Sequence, residues 1–127
     1  MAHTDFERMV VEELKSIETG ATGPIAYINA NCYTQHNLGV ADGLAGFGAA
    51  LAAMAQQGIE IKYDTLHKVL GKGNFVLTVS EGCLGGVHTS YYDLFRIENG
   101  KIAEHWDTIE SILPEDKRLN ANGKFGF

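Results

Sequence analysis

The chain reads as an α+β fold in which helices come first and antiparallel strands follow. Three observations carry this. Apolar residues recur at helical spacing from Phe6 through Met54. From Ile59 the period changes to two, with Ile59, Ile61 and Tyr63 alternating with Glu60, Lys62 and Asp64. Asn99-Gly100 then marks a tight hairpin between two long extended stretches. Runs of helix followed by runs of strand place the helices on one face of a curved antiparallel sheet, not in alternating βαβ units.

Each element has a local justification. Thr4 and Glu7 form a capping box, each side chain meeting the other's backbone amide. Phe6, Met9, Val10, Leu14 and Ile17 then make the apolar face of a first helix. Glu7, Glu12, Glu13 and Lys15 are assigned to its other faces, and the helix stops near Thr19-Gly20. Thr22-Gly23-Pro24 opens a short second helix, with Pro24 in its first turn and Ile25, Ile28 and Cys32 on one side. Tyr33 to Asn37 is a short extended piece. Asp42 caps a third helix whose stripe is Leu44, Phe47, Leu51 and Met54. Gly46 and Gly48 weaken that helix by about 1 kcal/mol each but admit close approach of another backbone. Strands follow at Phe75 to Cys83, Val87 to Ile97 and Lys101 to Ile112, separated by turns at Gly71–Asn74, Leu84–Gly86 and Asn99-Gly100. Residues 113–127 form an extended tail carrying Phe125 and Phe127.

Composition narrows the function. With 127 residues, 45% hydrophobic and 20% charged, residues 1–127 are expected to form one globular domain, large enough to bury about two-thirds of its unfolded surface. The net charge of −6 and the absence of a basic stripe argue against nucleic-acid binding; Lys117-Arg118 is the only adjacent basic pair. Two isolated cysteines, Cys32 and Cys83, fit a reducing, cytoplasmic setting. The longest apolar run, Leu44 to Ala55, is too short to cross a membrane, and the N-terminus lacks the pattern of a secretory signal. The histidines His3, His36, His67, His88 and His105 show no i,i+2 or i,i+4 pairing, so no metal is expected. Ser80 and Ser90 lie outside any nucleophile elbow.

Three short motifs point further. Tyr33-Thr34-Gln35-His36-Asn37, Asp93-Leu94-Phe95-Arg96 and Gly100-Lys101-Ile102-Ala103-Glu104-His105-Trp106-Asp107 occur in that order. Together they resemble the SnoaL-like polyketide cyclases of the nuclear transport factor 2-like superfamily, over Phe6 to Ile112. The resemblance implies a cone of helices on a strongly bent sheet, a deep apolar pocket and a homodimer. It also implies cofactor-free intramolecular aldol chemistry on a small apolar or aromatic carbonyl compound, with an aspartate and a histidine in the pocket. Asp93, His105 and Asp107 are all eligible. Related proteins of the superfamily include isomerases, dehydratases, epoxide hydrolases and non-catalytic binding modules, so a binding module and a dehydratase or hydrolase remain the alternatives.

The hairpin assigns faces. If Asn99-Gly100 are the two loop residues, Asp93 lies opposite Trp106 and Phe95 opposite Glu104. One face then carries Tyr91, Asp93, Phe95, Glu104 and Trp106; the other carries Arg96, His105 and Asp107. The first face is richer in large apolar groups and is taken as concave. Asp93 becomes a desolvated general base beside Trp106, with His36, Tyr33 or Tyr91 polarising the substrate carbonyl. Glu104 is placed at the rim or paired with Arg96 or Lys101. His105 and Asp107 are the alternative acid–base couple, which a bulge near Gly100 would turn inward.

Overall fold

In the computed structural model, which describes residues 4–19 and 23–127, the capping box forms as the sequence predicts. The Thr4 amide donates to Glu7 at 3.0 Å and the Glu7 amide to Thr4 Oγ1 at 3.2 Å. Helix α1 runs Asp5–Thr19; the expected signals at Gly20 and Thr22 lie outside the described residues. The second helix is a single 3-10 stretch, Gly23–Tyr27. Helix α2 spans Gly43–Gln56. Asp42 precedes it without capping it, because its carboxylate instead accepts the Gln35 amide at 2.8 Å.

Five strands follow the predicted periodicity. They are β1 (Thr34–Gln35), β2 (Ile61–Lys72), β3 (Phe75–Leu84), β4 (Val87–Glu98) and β5 (Lys101–Ser111). They form one open sheet in the order β1-β5-β4-β3-β2. β2 to β5 are antiparallel neighbours, as expected; β1 adds a parallel pair on the outer edge of β5, which makes the sheet mixed. Asn99 and Gly100 both take positive φ, 52° and 73°, as a two-residue hairpin of this kind demands.

Bulges bend the sheet and sort its faces. β2 carries two irregularities, between Tyr63 and Thr65 and between Leu66 and Lys68. A third lies where the β4–β5 pairing passes from Arg96 opposite Glu104 to Ile97 opposite Ile102, leaving Ala103 as the extra residue. The helices cover the concave face. Val10 and Leu14 of α1 meet Tyr63, Val76, Tyr91, Phe95, Ile97 and Ile102 in one core. On α2 the predicted stripe is only half-buried, and Phe47, Leu51 and Met54 face a cavity instead of filling a core. No described helix is long and apolar enough to cross a membrane.

The tail does not enter the pocket. Phe125 stacks on His67 with ring centres 4.3 Å apart, Lys68 Nζ lies 5.5 Å over the Phe127 ring, and Lys124 pairs with Glu110 at 2.5 Å. His67 and His88 both bond Glu81, at 2.9 and 2.6 Å, on the outer face of the sheet.

Gly82 tests the bend. A Cβ there would sit 1.8 Å from the Lys62 carbonyl oxygen, whereas a Cβ on Gly48 in α2 meets open space. Gly82→Ala is expected to lose about 2–3 kcal/mol in urea unfolding. Gly48→Ala is expected to gain up to about 1 kcal/mol in the same assay.

Candidate functional site

The bulge at Ala103 decides which side chains meet. Above it, each β5 residue is one position out of the simple hairpin register. Asp93 lies opposite Asp107, Phe95 opposite His105, and Leu94 opposite Trp106. His105 and Asp107 therefore join Tyr91, Asp93 and Phe95 on the concave face. Glu104 and Trp106 pass to the outer face. This corrects the expected pairing of Asp93 with Trp106, and the cause is the one extra residue.

His36, Glu104 and Trp106 form a separate outer cluster. His36 Nε2 contacts Glu104 Oε2 at 2.5 Å and its ring stacks on Trp106, centres 4.7 Å apart and planes nearly parallel. Glu104 also accepts from Arg96 Nε at 2.8 Å, as the rim-pairing alternative foresees. Hydrogen bonds from His36 and then Arg96 hold its carboxyl below the usual range. None of the three lines the inner cavity.

That cavity encloses about 260 Å³ between the sheet, α1 and α2. Tyr33, Tyr63, Tyr91 and Phe95 supply much of its wall; Asp93, His105 and Asp107 supply its polar end. His105 Nε2 lies 2.8 Å from Asp93 Oδ1 and 3.9 Å from Asp107 Oδ2. His105 Nδ1 lies 2.8 Å from Gln35 Oε1. The same Gln35 oxygen accepts the Asn37 backbone amide at 3.0 Å, so it is the oxygen of the amide, and His105 Nδ1 carries a hydrogen. The remaining proton lies between Nε2 and Asp93. The pair is either imidazolium with carboxylate or imidazole with carboxylic acid, and both hold one proton.

Burial first of all pushes the Asp93 carboxyl up; the hydrogen bond and charge of His105 oppose this, and the charge of Asp107 adds to it. Asp93 is 3% exposed, and its Oδ2 has no hydrogen-bond partner among the described residues. Asp107 is better satisfied, because its Oδ2 accepts from Asn37 Nδ2 at 3.0 Å. β1 and the loop that follows it thus supply both supports, Gln35 for His105 and Asn37 for Asp107.

The tyrosines divide by hydrogen bonding. Tyr91 donates to the Cys83 carbonyl at 2.8 Å and serves as wall. Tyr33 accepts from Gln35 Nε2 at 3.3 Å, which leaves its own hydrogen free to donate. Burial drives the phenols of Tyr33, Tyr63 and Tyr91 upward, so they stay protonated near neutral pH.

Two features escape sequence reasoning. Tyr63, on β2, reaches the cavity from the far side of the sheet. Glu13 is 3% exposed, lines the cavity, and has neither carboxyl oxygen hydrogen-bonded among the described residues. Its place was legible: Glu13 follows Met9 and Val10 by four and three residues, which is the apolar stripe and not the polar face. Burial pushes its carboxyl up to about 7, and the nearby Ser16 hydroxyl opposes this more weakly.

Asp93, His105 and Asp107 are also the one described group whose ligand atoms, all within 4.8 Å of one another, could hold a metal ion. Separation in sequence hid this set, since Asp93 reaches the other two only across strands. Cys32 is exposed and Cys83 half-buried; neither lines the cavity.

No family model matches the chain, and no curated protein matches it. Solved structures do. A protein assigned as a ketosteroid isomerase from Kribbella flavida is 12% identical, with a TM-score of 0.69 over 95% of this chain and 93% of that one. An NTF2-like protein of unknown function from Cytophaga hutchinsonii is 18% identical, with a TM-score of 0.65 over 86% and 93%. A protein assigned as a polyketide cyclase from Bacillus cereus is 18% identical, with a TM-score of 0.63 over 84% and 75%. The chain shares the nuclear transport factor 2-like fold with these proteins.

Glu13 has a measurable consequence for stability. Its folded value lies above the ordinary 4.5, so the folded state binds the extra proton between pH 4.5 and about 7. Stability from this group therefore falls as pH rises through that window, on the order of 3 kcal/mol in all. Tyr33, Asp93, His105 and Asp107 share its cavity, and Glu18, Glu60 and Lys62 line the cleft beside it. Urea unfolding from pH 5 to 8 should show Glu13→Gln gaining on the wild type by this order of magnitude. A constant difference across that range would contradict it.

Proposed function

We propose that the chain is a metal-independent acid–base enzyme that enolises a small, largely apolar carbonyl compound, as an aldol-type cyclase or an isomerase does. One observation carries the reading: His105 Nε2 lies 2.8 Å from the buried carboxyl of Asp93 beside a second carboxylate, Asp107, in a largely apolar cavity. Together with the Tyr33 hydroxyl, such a set offers a donor and a base within one substrate's reach.

The roles follow from access. Asp93 is sealed in, so it acts through His105 as a positioning residue that shares its proton. The Tyr33 hydroxyl, whose hydrogen is free, donates toward the substrate carbonyl, while His105, with both ring nitrogens engaged by Gln35 and Asp93, holds the polar end of the cavity beside it. Asp107, steadied by Asn37, accepts the proton from the adjacent carbon. The C–H electron pair becomes the enolate, whose oxygen is stabilised by the donated hydrogen bond. The enolate then attacks a second carbonyl of the same molecule, or takes the proton back at another carbon. The solved structures assigned as a polyketide cyclase and a ketosteroid isomerase share this fold and support the class.

A pure binding module fits less well. Asp93 Oδ2 and both oxygens of Glu13 are buried without partners among the described residues. Buried polar groups of a finished structural core are nearly always satisfied.

Proton–deuterium exchange beside the carbonyl of 1-tetralone, followed by NMR in D2O, tests the proposal. Wild-type protein should accelerate exchange over buffer, and Asp107→Asn or His105→Ala should each lower the rate by about 10²–10⁴-fold. His36→Ala, on the outer face, should change it by less than about threefold. No acceleration by the wild type would sink the proposal.

A further inference from the structure

Glu13 is unexplained by the chemistry above. It sits on α1, where the cavity meets a second cleft that Asp93, His105 and Asp107 do not border, and where the helix would bury a leucine or methionine at no electrostatic cost. It lines both the inner cavity and a larger cleft of about 780 Å³ between α1, α2 and the start of β2. Ile17, Phe47, Leu51, Met54 and Ile61 also border both spaces, so Glu13 is the one charged-type side chain at an otherwise apolar junction. Ser16 does not satisfy it, because the Ser16 hydroxyl donates to the Glu13 backbone carbonyl at 2.6 Å. Both carboxyl oxygens are left buried and unpaired among the described residues. An unpaired buried polar group is costly, and a ligand that pairs it recovers that cost on binding.

We propose that Glu13 is a second anchor in the pocket, and that its partner is an uncharged hydroxyl or carbonyl on the ligand, remote from the carbonyl at His105. The inference rests on the reading of the His105 end as the carbonyl site and extends it to the substrate class. The substrate is an apolar ring or chain with two oxygen functions, one at each end. An uncharged partner is favoured because burial keeps the Glu13 carboxyl largely protonated up to about pH 7, able to donate or accept. Tyr33 stands within electrostatic reach of Glu13, Asp107 and Asp93.

The test compares binding of 1-tetralone with its 5-, 6- and 7-hydroxy derivatives by calorimetry at pH 6. At least one hydroxyl position should bind the wild type about tenfold tighter than 1-tetralone, the effect of one good hydrogen bond. Glu13→Leu should abolish that preference while leaving 1-tetralone within about threefold of the wild-type value. Glu13→Met, of similar volume and greater flexibility, is the second variant should the leucine form fold poorly, and it should behave the same way. Equal binding of all four ketones to the wild type, failure of all of them to bind, or a preference that survives in Glu13→Leu or Glu13→Met overturns the proposal. His105→Ala separates this from the reading it rests on. Weakened binding of all four ketones supports the carbonyl site. Unchanged binding with the Glu13-dependent hydroxyl preference intact removes the carbonyl site and, with it, the two-ended substrate.

Discussion

One extra residue in β5 organises the site. Ala103 has no partner of its own in the β4 ladder, and every side chain beyond it changes face relative to a regular hairpin. The bulge is held from the other edge. The Asn29 amide donates to the Ile102 carbonyl at 2.9 Å and the His36 amide to the His105 carbonyl at 2.9 Å, on either side of it. Ala103 itself is 1% exposed, so there is no room for a larger residue to relax. Without this irregularity the cavity would receive Glu104 and Trp106, and the His105–Asp107 pair would face outward.

The same edge strand carries the electrostatics. β1 is two residues long, yet Gln35 and, two residues on, Asn37 set the polar end of the cavity. Gln35 accepts from His105 and from the Asn37 amide, which fixes both the amide orientation and the imidazole hydrogen. Asn37 donates to Asp107. Two aspartates directly opposite on neighbouring strands repel each other. The imidazole of His105 and the amide of Asn37 make that juxtaposition tenable, with one proton shared where burial resists full ionisation.

Much of the fold was legible. The Thr4–Glu7 cap, the change of period at Ile59 and the Asn99-Gly100 turn are local signals, and the structure follows each of them. The candidate site was legible in its members but not in its grouping. Asp93, His105, Asp107, Tyr33, Tyr91 and Phe95 do line one cavity, whereas His36, Glu104 and Trp106 gather on the outer face. A bulge leaves no mark in composition, because Ala103 is small and unremarkable, and the parallel pairing of β1 depends on contacts far away in sequence. Glu13 was missed for a different reason: a carboxylate in an apolar stripe was read by its chemical type when its helical phase already placed it inside. The third helix shows the reverse case. Its apolar stripe lies where the helical period places it, and Phe47, Leu51 and Met54 border a cavity that no periodicity reveals.

The central claim is that His105, turned inward by the bulge, presents a hydrogen on Nδ1 to Gln35 and directs Nε2 at Asp93. Long-range proton–nitrogen NMR on protein labelled with 15N-histidine tests this directly. His105 should show a hydrogen bonded to Nδ1 across the pH range in which the protein stays folded, and Asp93→Asn should alter the Nε2 signal while leaving the Nδ1 hydrogen in place. A neutral His105 ring carrying its only hydrogen on Nε2, or an Nε2 signal indifferent to Asp93→Asn, would contradict the account.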